Sequence, residues 1–253
     1  MKRFAPPLVV AAALCAPLAG FAQTAAPAKP EPDFTFTGNL ALSSEYLYRG
    51  IAQSNRKPAI SGGFDFGHKS GFYLGNWNSS ISWISDANPG LSAPVEMDFY
   101  GGYKFEVVKD LTLDLGVLAY YYPTSGAKPA VSPNTTEVYL AGTYGPATLK
   151  YSHATTNLFG FTDSKNSHYL DLSVSFDAGS GITLVPHIGY QKVKNNSDCD
   201  YTDYSLKASY DLSGWTLSGL VSGTNTKKAC YTGPVNGTDL GATRLVVSIG
   251  KSF

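Results

Sequence analysis

From Phe34 to Phe253 this 253-residue chain repeats one pattern: short segments of alternating apolar and polar residues, joined by connections that are by turns very short and long. Period two belongs to a strand with two chemically different faces, and it is incompatible with the i, i+3, i+4, i+7 grouping of an amphipathic helix. In FTFTGNLALSSEYLYRG, residues Phe34, Phe36, Leu40, Leu42, Tyr46 and Tyr48 share one face, while Thr35, Thr37, Asn39, Ser43, Glu45 and Arg49 share the other. In PVEMDFYGGYKFEV, Val95, Met97, Phe99, Tyr103, Phe105 and Val107 oppose Glu96, Asp98, Lys104 and Glu106. DLTLDLGVLAYYY and SHYLDLSVSFD continue the same parity.

A sheet with one apolar face needs something to cover it. In water that is a second layer, as in a β-sandwich; in a barrel wall it is lipid. The connections favour lipid. Those at 68–71, 108–110, 145–146, 178–181 and 212–214 are tight and built from turn formers, and they alternate with long stretches such as PTSGAKPAVSPN and TNTKKACYTGPVNGTD. Outer-membrane barrels have this asymmetry, with tight periplasmic turns and longer outer loops. The N-terminus agrees: Lys2 and Arg3 precede the apolar stretch Phe4 to Pro17, and Gly20-Phe21-Ala22 offers a cleavage site. A lipoprotein reading of Cys15 is weakened by Leu14, which stands where a small residue belongs. No later segment approaches the ~20 apolar residues of a membrane-spanning helix.

The expectation is an all-β transmembrane antiparallel β-barrel of about 12 strands in the bacterial outer membrane, with both termini periplasmic. Its parts are a signal peptide (1–22), a Pro/Ala-rich periplasmic linker (23–33) and the barrel (34–253). Clustered aromatics at Tyr46/Tyr48, Trp77/Trp83, Tyr120 to Tyr122 and Tyr190 read as interfacial girdles against membrane lipid. Basic and acidic residues balance at 19 each, so no positive field exists to hold nucleic acid.

The lumen is read from the same parity. Inward charges are Glu45, Asp65, Glu96, Asp98, Glu106, Asp114, Glu137 and Asp171 against Arg49, Lys104, Lys150, Lys207 and Arg244. The acidic excess predicts weak cation preference. Glu45, Arg49, Glu96, Asp98 and Arg244 are the expected constriction, with Arg49 and Arg244 neighbours where the first and last strands close the barrel. A seam salt bridge from Glu45 is the structural alternative. Cys199 and Cys230 fall in consecutive outer loops and are expected to form a disulfide. Neither belongs to a CxxC motif, no histidine lies in either loop, and neither a metal nor a cofactor is expected. His68, His153, His168 and His187 form no evident Ser-His-Asp arrangement and no GxSxG occurs, so the chain does not read as an enzyme.

The last strand, ATRLVVSIGKSF, sends Leu245, Val247 and Ile249 outward and ends on Phe253, in the manner of the terminal signal read by the barrel-assembly machinery. Lys251 departs from the aromatic or apolar residue usual two before the end. With Tyr46-Leu47-Tyr48-Arg49-Gly50, the core of the tract 44–58, the sequence resembles the TorF-family porins, also called the Gcw_chp family of exported bacterial proteins. The resemblance spans the whole expected mature chain and implies a porin, without naming a solute. The function expected is passive diffusion of small hydrophilic solutes or ions. The alternatives are a non-conducting structural or adhesin-like barrel acting through its outer loops, and an outer-membrane lipid-modifying enzyme.

Overall fold

The structure, a computed structural model, describes residues 32–253. The expected signal peptide and residues 23–31 of the expected linker lie outside the described residues.

The alternating segments become twelve antiparallel strands: β1 Phe34–Ser43, β2 Ala59–His68, β3 Phe72–Ser80, β4 Val95–Val108, β5 Leu111–Tyr121, β6 Thr135–Tyr144, β7 Ala147–Ala154, β8 His168–Val174 resumed as Phe176–Gly179, β9 Ile182–Lys192, β10 Tyr201–Leu212, β11 Trp215–Thr224 and β12 Arg244–Ser252. Each pairs with its sequence neighbours, and β1 also pairs with β12, Asn39 opposite Ser252 and Ser43 opposite Ser248, which closes the ring. Closure leaves no sheet edge to be satisfied by another chain.

Burial is inverted relative to a water-soluble protein. Phe36 and Leu245 are each 66% exposed, whereas Glu96 and Glu137 are each 1% exposed. Leaving one large apolar side chain in water forgoes ~1.5–3 kcal/mol, and every strand presents a row of them. Only a lipid surround makes this arrangement stable, so period two translates here into apolar outside and polar inside.

The short connections gather at one end of the barrel. Between β10 and β11, Ser213 and Gly214 both take positive φ (+53° and +85°), the two-residue hairpin geometry that matches strand twist. The long connections gather at the other end, the loop end. They are ordered by short helices at Trp83–Ala87 and Lys228–Tyr231, and by the Cys199–Cys230 disulfide (Cα–Cα 5.5 Å), which ties connection 193–200 to 225–243.

The first long connection folds inward. Leu47–Tyr48 pairs with Ile51–Ala52 around Arg49 and Gly50, at φ +47° and +77°. This hairpin, the plug, lies inside the loop half, and a Cβ on Gly50 would meet Thr224 Cγ2 at 2.6 Å and Asp203 Cβ at 2.9 Å. Tyr46, Tyr48 and Arg49 therefore do not continue β1, which ends at Ser43. Their alternation is real but belongs to a separate hairpin. The girdle expectation is corrected with it: Tyr46, Trp77, Tyr120 and Tyr122 are buried inside the loop half, not exposed to lipid. Trp77 occupies an odd position on a strand whose even residues face out. Tyr121 and Tyr190 do face outward, with Tyr103, Tyr144, Tyr151, Tyr204 and Trp215.

Candidate functional site in the lumen

Parity delivers polar side chains from every strand to the interior, and two groups of contacts divide it. In the loop half the plug is fastened at its base and its tip. At the base, Arg244 Nη1 donates to Glu45 Oε1 and Oε2 at 2.9 and 3.1 Å, and its Nη2 donates to the Asp239 carbonyl. Glu45 Oε1 also accepts from the Arg56 backbone N–H at 2.6 Å. At the tip, Arg49 Nη2 donates to Glu137 Oε2 on β6 and Nη1 to Gln191 Oε1 on β9, both at 2.7 Å. The guanidinium carbon stands 4.1 Å from the centroid of the Tyr169 ring. Burial alone would lower the Arg49 pKa; the Glu137 carboxylate, together with the Tyr48 and Tyr120 hydroxyls, holds it above its ordinary value, so the plug carries a fixed charge.

Of the two expected arrangements, the Arg49/Arg244 cluster is thus not formed, and the seam salt bridge to Glu45 is the one that Arg244 makes. Once the chain turns inward after Ser43, Arg49 is carried to the β6 and β9 walls, while Arg244 takes Glu45 at the seam. Glu96 belongs to a third contact, accepting from Tyr46 Oη at 2.6 Å and Tyr122 Oη at 2.8 Å. Burial, then Glu96, pushes the Tyr46 hydroxyl pKa up, which keeps it a donor. Asp98 stands beside these with its Oδ1 buried and without a partner. All five expected constriction residues lie in the loop half, distributed over separate contacts.

The half nearer the short turns is lined differently. Asp65 accepts from Tyr100 at 2.5 Å and Asp114 from Tyr73 at 2.6 Å. Lys104 lies 3.8 Å from Asp114, and Lys150 lies 4.0 Å from the Tyr139 ring centroid. Between them face Thr35, Thr37, Thr112, Thr148 and Ser248. The tyrosines lie flat over glycines of adjacent strands, Tyr100 over Gly75 and Tyr139 over Gly116, where any Cβ would collide with the ring. Both rings are themselves buried and belong to one cluster with Tyr46, Trp77, Tyr120 and Tyr122, so they join the two halves.

Gln191, Tyr169 and Asp203 were missed as lumen residues, and Asp203 was legible: Tyr204, Leu206 and Tyr210 alternate outward, which turns Asp203 in. His187 sits between Asp171 (2.5 Å) and Asp203 (3.6 Å), with Tyr169 at 3.2 Å. Among the described residues no serine hydroxyl bonds to it. At the seam, Phe253 pairs through its backbone with Gly38 (2.7 and 2.9 Å), and its ring covers that glycine.

Residues 27–253 match the Gcw_chp family, described as a bacterial protein of unknown function. The chain belongs to the Gcw_chp family. Among solved structures, this Gcw_chp protein is similar to the KdgM porin in complex with disordered oligogalacturonate: TM-score 0.54, 12% identity, over 87% of this chain and 99% of that one. It is similar to the NanC porin at TM-score 0.53 and 13% identity, over 87% and 99%. At these identities the likeness is one of fold, a closed antiparallel barrel, and these neighbours are porins rather than enzymes. Curated protein sequences give no match.

Proposed function

We propose that this Gcw_chp protein is an outer-membrane porin through which small hydrophilic solutes or ions diffuse passively, with a weak preference for cations. The observation that carries this reading is the inward polar face that the strands contribute, in a barrel of intermediate size: eight-stranded barrels fill with side chains, and those of sixteen or more hold wide channels. Asp203 adds to the acidic excess, and Arg49 and Arg244 are already held by internal carboxylates. Bidentate capture of acidic sugars, the ligand class bound by KdgM, therefore has few free arginines to use here.

In this reading residues 1–22 direct export and are removed, 23–33 form a periplasmic linker, and both termini and the short turns face the periplasm. Phe253 presents the barrel to the assembly machinery, and the apolar face meets membrane lipid. Single-channel recording of the refolded protein in planar bilayers tests the passage: conductance steps with a cation-selective reversal potential are expected, and no steps at any voltage would refute it. The plug contacts favour one competing reading, a closed barrel that acts through its outer loops. That barrel would remain silent even when the plug is released.

A further inference from the structure

We propose that Glu96 and Asp98 hold a partly dehydrated monovalent cation inside the loop half of the barrel. This rests on the reading of the lumen as a cation-preferring passage, and it names the place within it where the ion dwells. The two carboxylates stand two residues apart on β4 and so project from the same face. Among the described residues, no ion pair involves either of them. The arginines of this half are engaged elsewhere, Arg49 with Glu137 and Arg244 with Glu45.

Glu96 receives two hydrogen bonds from neutral tyrosine hydroxyls. Asp98 is 7% exposed, yet its Oδ1 has no partner. Register sets Asp98 opposite Trp77 on one side and Tyr120 on the other, both buried rings. The Tyr120 hydroxyl reaches Glu137 Oε2 at 3.4 Å, and Oε1 of that glutamate is likewise buried without a partner.

Carboxylates taken out of water are stable only when a proton or a positive charge neutralises them. A small cation at Asp98 Oδ1 supplies the partner that the protein leaves out. A divalent ion fits less well. Calcium wants about six to eight oxygen ligands, and no group of three acidic, histidine or cysteine side chains able to hold a metal occurs among the described residues.

The test is crystallography of the refolded protein in rubidium chloride. An anomalous difference peak in direct contact with Asp98 Oδ1 is expected, and it should vanish in Asp98→Asn. No peak in the wild type overturns the proposal without reference to any variant, as does a peak that survives in Asp98→Asn. Infrared spectroscopy of the wild type at neutral pH adds an independent check, because a protonated carboxyl band that disappears in Asp98→Asn would show a proton in place of the ion. Bilayer recording separates the two readings. Cation-selective conductance without a rubidium peak removes the site and leaves the porin; a peak in a silent barrel leaves the site and removes the passage.

Discussion

The loop half and the short-turn half of the interior are built from the same twelve strands, yet they are lined by different side chains. In the loop half, Tyr46, Trp77, Tyr120 and Tyr122 pack with a returned hairpin and bury Glu96, Glu137 and Asp203 almost completely. In the short-turn half a smaller polar group forms, with Asp114 accepting from Tyr73 and standing 3.8 Å from Lys104, and the buried rings of Tyr100 and Tyr139, over Gly75 and Gly116, join the two halves. Alternation decides which residues face in. Side-chain size, and whether a connection folds back, decides how the inside is lined.

The largest effect that bears on this difference is expected from Arg49→Ala. It removes the tip contact and leaves the Glu137 carboxylate buried and unpaired, a loss of about 3–5 kcal/mol for a broken buried pair. The plug should leave the lumen and single-channel conductance should rise several-fold, while Arg49→Lys restores only part of the fastening because it lacks the planar fork that reaches Glu137 and Gln191 together. Unchanged conductance in Arg49→Ala would mean that the narrowest point lies in the short-turn half after all.

Next in size is the disulfide. Replacing Cys199 and Cys230 by Ser together should lower stability by ~2–4 kcal/mol, read as an earlier unfolding midpoint on heating in detergent. The bridge contacts neither Arg49 nor Arg244, although Ile51 of the plug packs in the same buried cluster as Cys199, with Cys230 against it, so conductance of the folded barrel should stay nearly the same. A rise in conductance would show that the rim loops, and not Arg49 alone, hold the plug in place.

The same contrast explains what could be read from sequence. The strand parity of Glu96, Asp98, Asp114 and Asp171 was legible because each outward neighbour is apolar, and Asp203 followed the same rule. The plug was not legible. Tyr46 and Tyr48 alternate as a strand does, and nothing local marks the break at Ser43; the hairpin is held by Glu137 and Gln191, 88 and 142 residues further along the chain. The Arg49-Gly50 pair did carry a signal, since a glycine in second place suits a tight hairpin with positive φ. Trp77 was misplaced because tryptophan's preference for the membrane interface was weighed above the parity of β3, whose even residues face out.

A smaller effect on conduction, confined to the short-turn half, is expected from Asp114→Asn. The substitution removes one acid beside Lys104 without touching the plug. It should shift the reversal potential in a salt gradient toward anions, by less than about twofold in permeability ratio, and lower the unfolding midpoint, because Asp114 is buried, accepts from Tyr73 and pairs with Lys104. If the shift instead matches that of a loop-half substitution such as Glu137→Gln, the two halves do not divide the work of selectivity as their linings suggest.

The smallest effect lies outside both halves, at the rim. Asp198 accepts from Lys227 Nζ at 2.6 Å across the two loops joined by the disulfide, and this hydrogen bond, with the lysine's charge, lowers the Asp198 pKa. A carboxylate with a lowered pKa in the folded state contributes stability above its unfolded pKa of about 3.9 and loses it as pH falls through the folded value. Both side chains are exposed and screened, so the contribution is slight. Wild type and Asp198→Asn should therefore unfold at slightly different temperatures at neutral pH and converge below the usual aspartate range, at any salt concentration that leaves a difference to measure. Divergence that grows in acid would reverse the sign and show that the pair strains the rim. In that case the loops would be held by the disulfide against their own charges, and the order of the loop half would rest still more heavily on the Arg49 and Arg244 contacts.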